Sequence, residues 1–194
     1  MLALVTMLPD ANHLPTIQAK RLILRELVPQ DAPALFEIFG NPEVCRYWSR
    51  PALENLRAAE ALQVEITQRF EERSLFQWGL AERSTGMIVG TCTLATLSLE
   101  HRRAEVGFAL ARSAWGNGYI AEALPALLGF AFSVLRLHRL EADVDPRNTR
   151  SIRVLERLGF VREGFLRERY LLHDETQDTL LYGLLHREWI GCHR

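Results

Sequence analysis

The run Trp115-Gly116-Asn117-Gly118-Tyr119-Ile120-Ala121-Glu122-Ala123 joins a glycine-rich turn to the start of a long apolar helix, and that junction narrows the folds open to the chain. The helix expected from Ile120 to Leu137 is apolar over much of its circumference, so it must be well buried. Pro125 falls early enough in it to be tolerated or to cause only a mild kink. Two glycines one residue apart let the main chain approach a ligand without a Cβ in the way. The first turn of a helix leaves amide hydrogens unpaired, and with the positive end of the helix dipole they favour a bound anion. A phosphorylated molecule is the expected guest.

Composition sets the frame for that guest. A chain of 194 residues, 48% hydrophobic and 24% charged, fits one globular domain with a real core. We expect a tail over residues 1–15 and a single domain over residues 16–194. Lys+Arg 23 against Asp+Glu 24 leaves a formal charge of -1, so no global field draws the protein to nucleic acid or to a membrane. Cys45, Cys92 and Cys192 are odd in number and widely spaced, which gives neither a disulfide framework nor a metal site. A reducing cytoplasm fits that usage. The apolar run Met1 to Leu8 has no basic flank and is too short for a signal peptide or a membrane span.

Along the chain, Arg21 to Leu27 reads as a first strand ended by Pro29, and Asp31 as the N-cap of a helix through Leu35, Phe36 and Phe39. Gly40-Asn41-Pro42 stops that helix. A second helix is expected from about Glu54 to Arg73, with Leu56, Ala59, Leu62, Ile66 and Phe70 on one face. Phe76 to Ala81 and Ile88 to Leu97 form a hairpin around Ser84-Thr85-Gly86, and Arg103 to Leu110 adds a strand that leads into the glycine turn. After the long helix, Leu140, Ala142 and Val144 alternate with Glu141 and Asp143 in another strand. Asn148 or Thr149 then caps a short helix closed by Gly159. Val161 to Leu172 and Thr179 to His186 make a final hairpin.

No Lys-Ser or Lys-Thr follows the glycines, which excludes a P-loop. The spacing Gly-x-Gly-x-x-Ala, with Glu141 about 20 residues on, matches a dinucleotide fingerprint, but the chain beyond it is too short for the further strand-helix units that such a domain needs. Three ordered segments decide otherwise: Ala104 to Leu110, Trp115 to Tyr119, and Asp145-Pro146-Arg147-Asn148-Thr149-Arg150-Ser151 on to Gly159-Phe160. Together they resemble the GNAT superfamily of N-acetyltransferases, over about Arg21 to Leu185. The early Arg21 to Arg25 segment with Asn41-Pro42-Glu43-Val44 resembles its RimJ/RimL-type branch, which acetylates ribosomal-protein N-termini.

The resemblance implies an α/β (α+β) fold with a mixed, mostly antiparallel sheet, splayed in the middle and flanked by helices. Acetyl-CoA as cosubstrate would lie in the opening, with no metal. Its pantetheine would pair with main chain at Phe108, Ala109 and Leu110, and its pyrophosphate would meet the amides of Gly116, Asn117, Gly118, Tyr119, Ile120 and Ala121. Relatives usually carry Gly or Ala where this chain has Ile120. An amide donates its hydrogen whatever side chain it bears, so the site should survive that change.

Acetyl transfer to an amine needs a neutral nitrogen and a protonated thiol leaving group. Glu105 is the candidate base, its bland alternative being a solvent-facing strand carboxylate. Many members of the superfamily place a tyrosine where Glu156 stands here, and an ionised carboxylate is a poor acid. The RimJ/RimL type is similar to this chain in having Ser151, a candidate acid or hydrogen-bond donor to the sulfur and otherwise a first-turn cap. Asn148 is expected to reach the pantetheine or to cap the helix. Arg147, Arg150 and Arg153 are candidates for the ribose phosphate, or a solvated face. Trp48, Trp78 and Tyr170 are candidates to line the acceptor pocket, with core packing as the alternative for the two tryptophans.

The expected activity is transfer of an acetyl group from acetyl-CoA to a primary amine, such as a protein or peptide N-terminal α-amino group, by direct attack in a ternary complex. A small-molecule amine acceptor (antibiotic or polyamine), or a non-catalytic CoA-binding role, stays open at this point. A homodimer is compatible with the resemblance.

Overall fold

The two faces of one sheet are covered by helices of different character, and this decides which strand residues meet the cleft. The computed structural model describes residues 12–98, 100–172 and 174–192. Its strands are β1 (Ile17–Gln18), β2 (Leu22–Glu26), β3 (Leu75–Glu82), β4 (Ile88–Ser98), β5 (Arg103–Leu110), β6 (Arg139–Val144), β7 (Val161–Leu172) and β8 (Glu175–Leu185). The helices are α1 (Ala32–Phe39), α2 (Pro42–Cys45), α3 (Leu56–Glu71), α4 (Tyr119–Ser133), α5 (Thr149–Arg157) and α6 (His186–Cys192). The sheet runs β1-β2-β3-β4-β5-β6-β8-β7, and β5 against β6 is its parallel pair; every other neighbour is antiparallel.

Trp78, Cys92 and Phe108 are register partners across β3, β4 and β5, so they share a face. That face carries α4, whose Ala123, Leu124, Leu127, Leu128 and Ala131 are fully buried against it. The opposite face, with Leu75, Ala81 and Ala109, packs under α1 and α3. β3 is therefore buried on both sides from Leu75 to Ala81. The helix expected from Ile120 to Leu137 stops at Ser133, although Leu135 and Leu137 remain buried in the same core.

Local chemistry explains the ends of the elements. Asn55 caps α3 by accepting from Ala58 N–H at 3.0 Å, and Asn148 caps α5 by accepting from Ser151 N–H at 3.2 Å. Asp31 precedes α1 as expected but does not cap it. Its carboxylate instead takes a two-pronged contact from Arg25, 2.7 and 2.8 Å, and a 2.9 Å bond from Val28 N–H. Gly159 closes α5 at φ +89°, a conformation that costs a side-chain-bearing residue dearly.

The tail expected over residues 1–15 falls, for residues 1–11, outside the described residues. Leu14 is buried, and the Pro15 carbonyl accepts from the Trp78 indole at 2.8 Å, so packing against the sheet starts there. Because Leu127 is wholly enclosed between α4 and the sheet, Leu127→Ala should cost about 2–5 kcal/mol in a urea unfolding titration. A loss well under 1 kcal/mol would mean that α4 does not seal this core.

Candidate active site

β5 and β6 hold together over three register pairs, Arg103 with Arg139, Ala104 with Leu140 and Glu105 with Glu141, and then part. Beyond Glu105, β5 keeps β4 on its other side while its β6-facing edge is left open. Ala111 N–H donates to Val89 O at 2.9 Å, toward β4, so by strand alternation the N–H and C=O of Phe108 and Val106 face the opening. The Leu110 carbonyl is already engaged by the Trp115 indole at 3.1 Å. Ala109 lines the opening, but its own peptide groups point to β4 by the same alternation. Phe108 is thus the residue of this stretch best placed to pair with an extended amide-bearing ligand.

The opening divides into two adjoining cavities that share Tyr47, Trp48, Phe108, Asn148 and Ser151. The larger, about 1130 Å³, reaches from the end of β5 to the start of α4 and across to α5. Gly116 and Gly118 sit on its wall at φ +81° and +74°, and Gly118 is the N-cap of α4. A Cβ at Gly116 would touch nothing, so these glycines answer to backbone conformation and not to crowding. Within α4 the first backbone bond to close runs from Glu122 N–H to Gly118 O, 3.2 Å, which leaves the amides of Tyr119, Ile120 and Ala121 without helical partners. Five arginines, Arg46, Arg112, Arg147, Arg150 and Arg157, line this cavity with Glu43 as its carboxylate, and such a lining suits a polyphosphate.

Some of these cations are already organised. Arg112 donates to Glu43 at 2.7 Å, and Arg147 grips Asp145 through 2.6 and 2.9 Å bonds. The Trp115 ring lies 4.9 Å from the Arg150 guanidinium of α5 and 4.7 Å from that of Arg112, so it links the two walls. Burial alone would raise the Asp145 carboxyl, but the hydrogen bonds from Arg147 outweigh it and hold it below the usual range.

Other predicted residues take different places. Asn117 does not line either cavity; its amide folds back onto the carbonyls of Ala114 and Trp115, 3.1 and 3.4 Å, and braces the turn. Ile120 is packed in the main core, which absorbs its branched side chain. The Tyr119 hydroxyl donates to Glu82 on β3. Glu122 accepts from the backbone and side chain of Arg21 and from Leu22 N–H, tying the start of α4 to β2. Trp78 is a correction: it is fully buried on the α4 face, edge-on to Phe76 and Phe130, away from both cavities. Its indole needs a partner when buried and finds one in Pro15.

The smaller cavity, about 190 Å³, brings together Glu105, Ser151, Trp48 and Tyr170. Asn148, not Ser151, caps α5, and Ser151 lines both cavities where they adjoin. Glu156 lies outside both and accepts from the Tyr182 hydroxyl at 3.2 Å. Arg153 is exposed and lines neither. Burial pushes the Glu105 carboxyl above the ordinary range, with the nearby Asp143 charge adding to the effect and Arg169 opposing it. Sequence reading missed Asp143 and Asp178, which also line this cavity. The Glu141/Asp143 alternation was the available signal, since it places Asp143 on the same face as Glu105's partner Glu141.

A splayed mixed sheet with a glycine turn feeding an anion-ready helix defines an acetyltransferase of the GNAT type. The chain belongs to that family: the acetyltransferase (GNAT) domain model matches residues 21–161. The N-acetyltransferase YoaA of Bacillus subtilis (strain 168), itself uncharacterized, is 33% identical over 88% of this chain and 97% of its own. YdaF of the same organism, named as a candidate ribosomal N-acetyltransferase, is 30% identical over 89% of this chain and 95% of its own. The solved structure of Mycobacterium smegmatis RimJ in complex with CoA-disulfide shares the fold, with a TM-score of 0.80 and 22% identity over 93% of this chain and 95% of that one. The protein is accordingly an N-acetyltransferase, transferring an acyl group from acetyl-CoA to an amine.

Since φ at Gly118 lies in the left-handed region, Gly118→Val should leave the fold intact yet displace the turn that presents the helix amides. Calorimetry should then read CoA binding weakened about tenfold or more, near 1.4 kcal/mol. Unchanged affinity in the folded variant would remove the turn from the site.

Proposed function

We propose that the protein acetylates the N-terminal α-amino group of a peptide or protein, with the amine attacking directly in a ternary complex. The carrying observation is the abutment of a carboxylate-lined chamber, holding Glu105, on a cationic channel, with Ser151 and Phe108 on the shared wall. The channel suits the phosphates of acetyl-CoA and leads its extended arm past Phe108 toward Glu105. Acetyl-CoA supplies the acetyl group as a thioester. Ser151 donates a hydrogen bond to the sulfur as the carbon–sulfur bond breaks, and Glu105 takes the proton that the amine gives up as the carbon–nitrogen bond forms.

The choice of an α-amine follows from what one carboxylate can do. An α-amino group with pKa about 8 is partly neutral at pH 7, whereas a lysine near 10.4 costs about 4.6 kcal/mol to deprotonate. A chamber of about 190 Å³ also admits roughly one residue. The YdaF similarity points to the same acceptor class.

A peptide library with acetyl-CoA, read by mass spectrometry beside spermidine and lysine-only peptides, should show α-acetylation. Acetylation confined to spermidine or to side-chain amines would overturn the acceptor assignment. With an accepted peptide, Glu105→Gln should lower kcat by about 10²–10⁴-fold, and Ser151→Ala by about tenfold or more, at near-unchanged CoA affinity. Full activity in both variants would remove these two roles.

A further inference from the structure

β7 is bulged where it meets the small cavity. Leu166 pairs with Thr179 and Tyr170 with Gln177, so residues 167–169 of β7 stand opposite the single residue Asp178 of β8. Glu168 at the centre has φ +50°, and its N–H is held by Asp178 Oδ1 at 2.8 Å. Neighbours on a flat strand point to opposite faces, yet here Arg169 and Tyr170 converge on one carboxylate. Arg169 Nη2 lies 3.0 Å from Asp143 Oδ2, the Tyr170 hydroxyl donates to the same oxygen at 3.2 Å, and Arg169 Nε donates to that hydroxyl at 3.3 Å. A second bulge, in β4 between Ala95 and Ser98, holds Thr96 at φ +50° with its hydroxyl 3.4 Å from Glu105 Oε2. Two non-glycine residues in the left-handed region thus flank one cavity, and such costly backbone persists where surrounding contacts impose it.

The charges around Glu105 are unevenly committed. From β5 and β6, Arg103 is taken by Glu141 at 2.6 Å. From β8, Asp178 is held in the bulge, Asp145 is taken by Arg147 at 2.6 Å, and Tyr47 reaches the cavity from the segment after α2. That leaves Asp143 of β6 and Arg169 of β7, with Tyr170 bridging them, as the opposed pair beside Glu105. We propose that Arg169 and Asp143 are positioning residues, a matched counter-ion pair aimed by the β7 bulge, which sets the pH range over which Glu105 can accept the acceptor's proton. The proposal rests on the reading of Glu105 as the base. Asp143 alone would disfavour a second carboxylate charge beside it, and Arg169 cancels that penalty while screening Asp143 from the incoming ammonium.

The test is the acid limb of kcat against pH, measured with one accepted peptide. Activity needs ionised Glu105 and a neutral acceptor amine, so the limb rises in two steps, and the step that belongs to Glu105 should vanish in Glu105→Gln while the acceptor's own step at about pH 8 stays. Arg169→Gln strands the Asp143 charge and should move the limb to higher pH by about one unit. Asp143→Asn removes the repelling charge and should move it lower, and the double variant should return close to the parent. Arg169→Lys, which keeps the charge, should hold the parent limb and serves if Arg169→Gln fails to fold. Shifts of opposite sign are not what lost packing produces. Limbs that stay in place, or move the same way in both single variants, would overturn the pair's role while leaving the base intact. Two steps that both survive in Glu105→Gln would instead bring down the base assignment, and the pair with it.

Discussion

Everything in this molecule is arranged around the point where β5 and β6 cease to pair. Three residues of parallel ladder tie the two halves of the sheet together, and one further residue would begin to close the opening. An unpaired strand edge inside a sheet is costly unless something satisfies its peptide groups. We propose that this unmet demand makes the binding site: Phe108 offers its peptide groups to the gap, and the same strand runs on into the glycine turn. On the proposed reading one continuous stretch of chain meets both the cofactor's extended arm and its phosphates, and the spacing between the two contacts is set by β5.

Charge is segregated along the opening. One end combines free helix amides with five arginines, and the other gathers Glu105, Asp143 and Asp178. The protein as a whole is nearly neutral, with a formal charge of -1, so this polarity is local and invisible to any net-charge argument. On the proposed reading the polyanionic donor enters at the arginine end, the amine acceptor at the carboxylate end, and they meet where Ser151 and Phe108 form the common wall. Aromatic groups complete the partition, with Trp115 between two guanidinium groups on the cofactor side, and Trp48, steadied edge-on against Phe39 at 5.1 Å, at the junction.

What could be read from the sequence was whatever local chemistry dictates. Gly116, Gly118, Asn148 and Gly159 announced themselves because turns and helix caps demand particular residues, and the order of strands and helices followed from periodicity. The parting of the strands carried no sequence signal of its own and came from resemblance. Trp78 was misplaced because alternation says which residues share a face but not which face meets the cleft; register across β3, β4 and β5 puts it under α4. Asp31 was read as a cap because the position suits one, and a neighbouring arginine claimed the carboxylate instead. Arg169 escaped notice for a related reason: bulges re-aim side chains, and a bulge in β7 has no composition that marks it, whereas Asp143 was legible in the alternation of β6 but only register places it beside Glu105.

The account stands on the cofactor entering the gap beside β5. Hydrogen exchange of single amides, with and without CoA, reports on that directly. Protection should appear at Phe108 and at Tyr119, Ile120 and Ala121, with the buried amides of β3 unchanged. CoA that binds while leaving those four amides exchanging as before would contradict it.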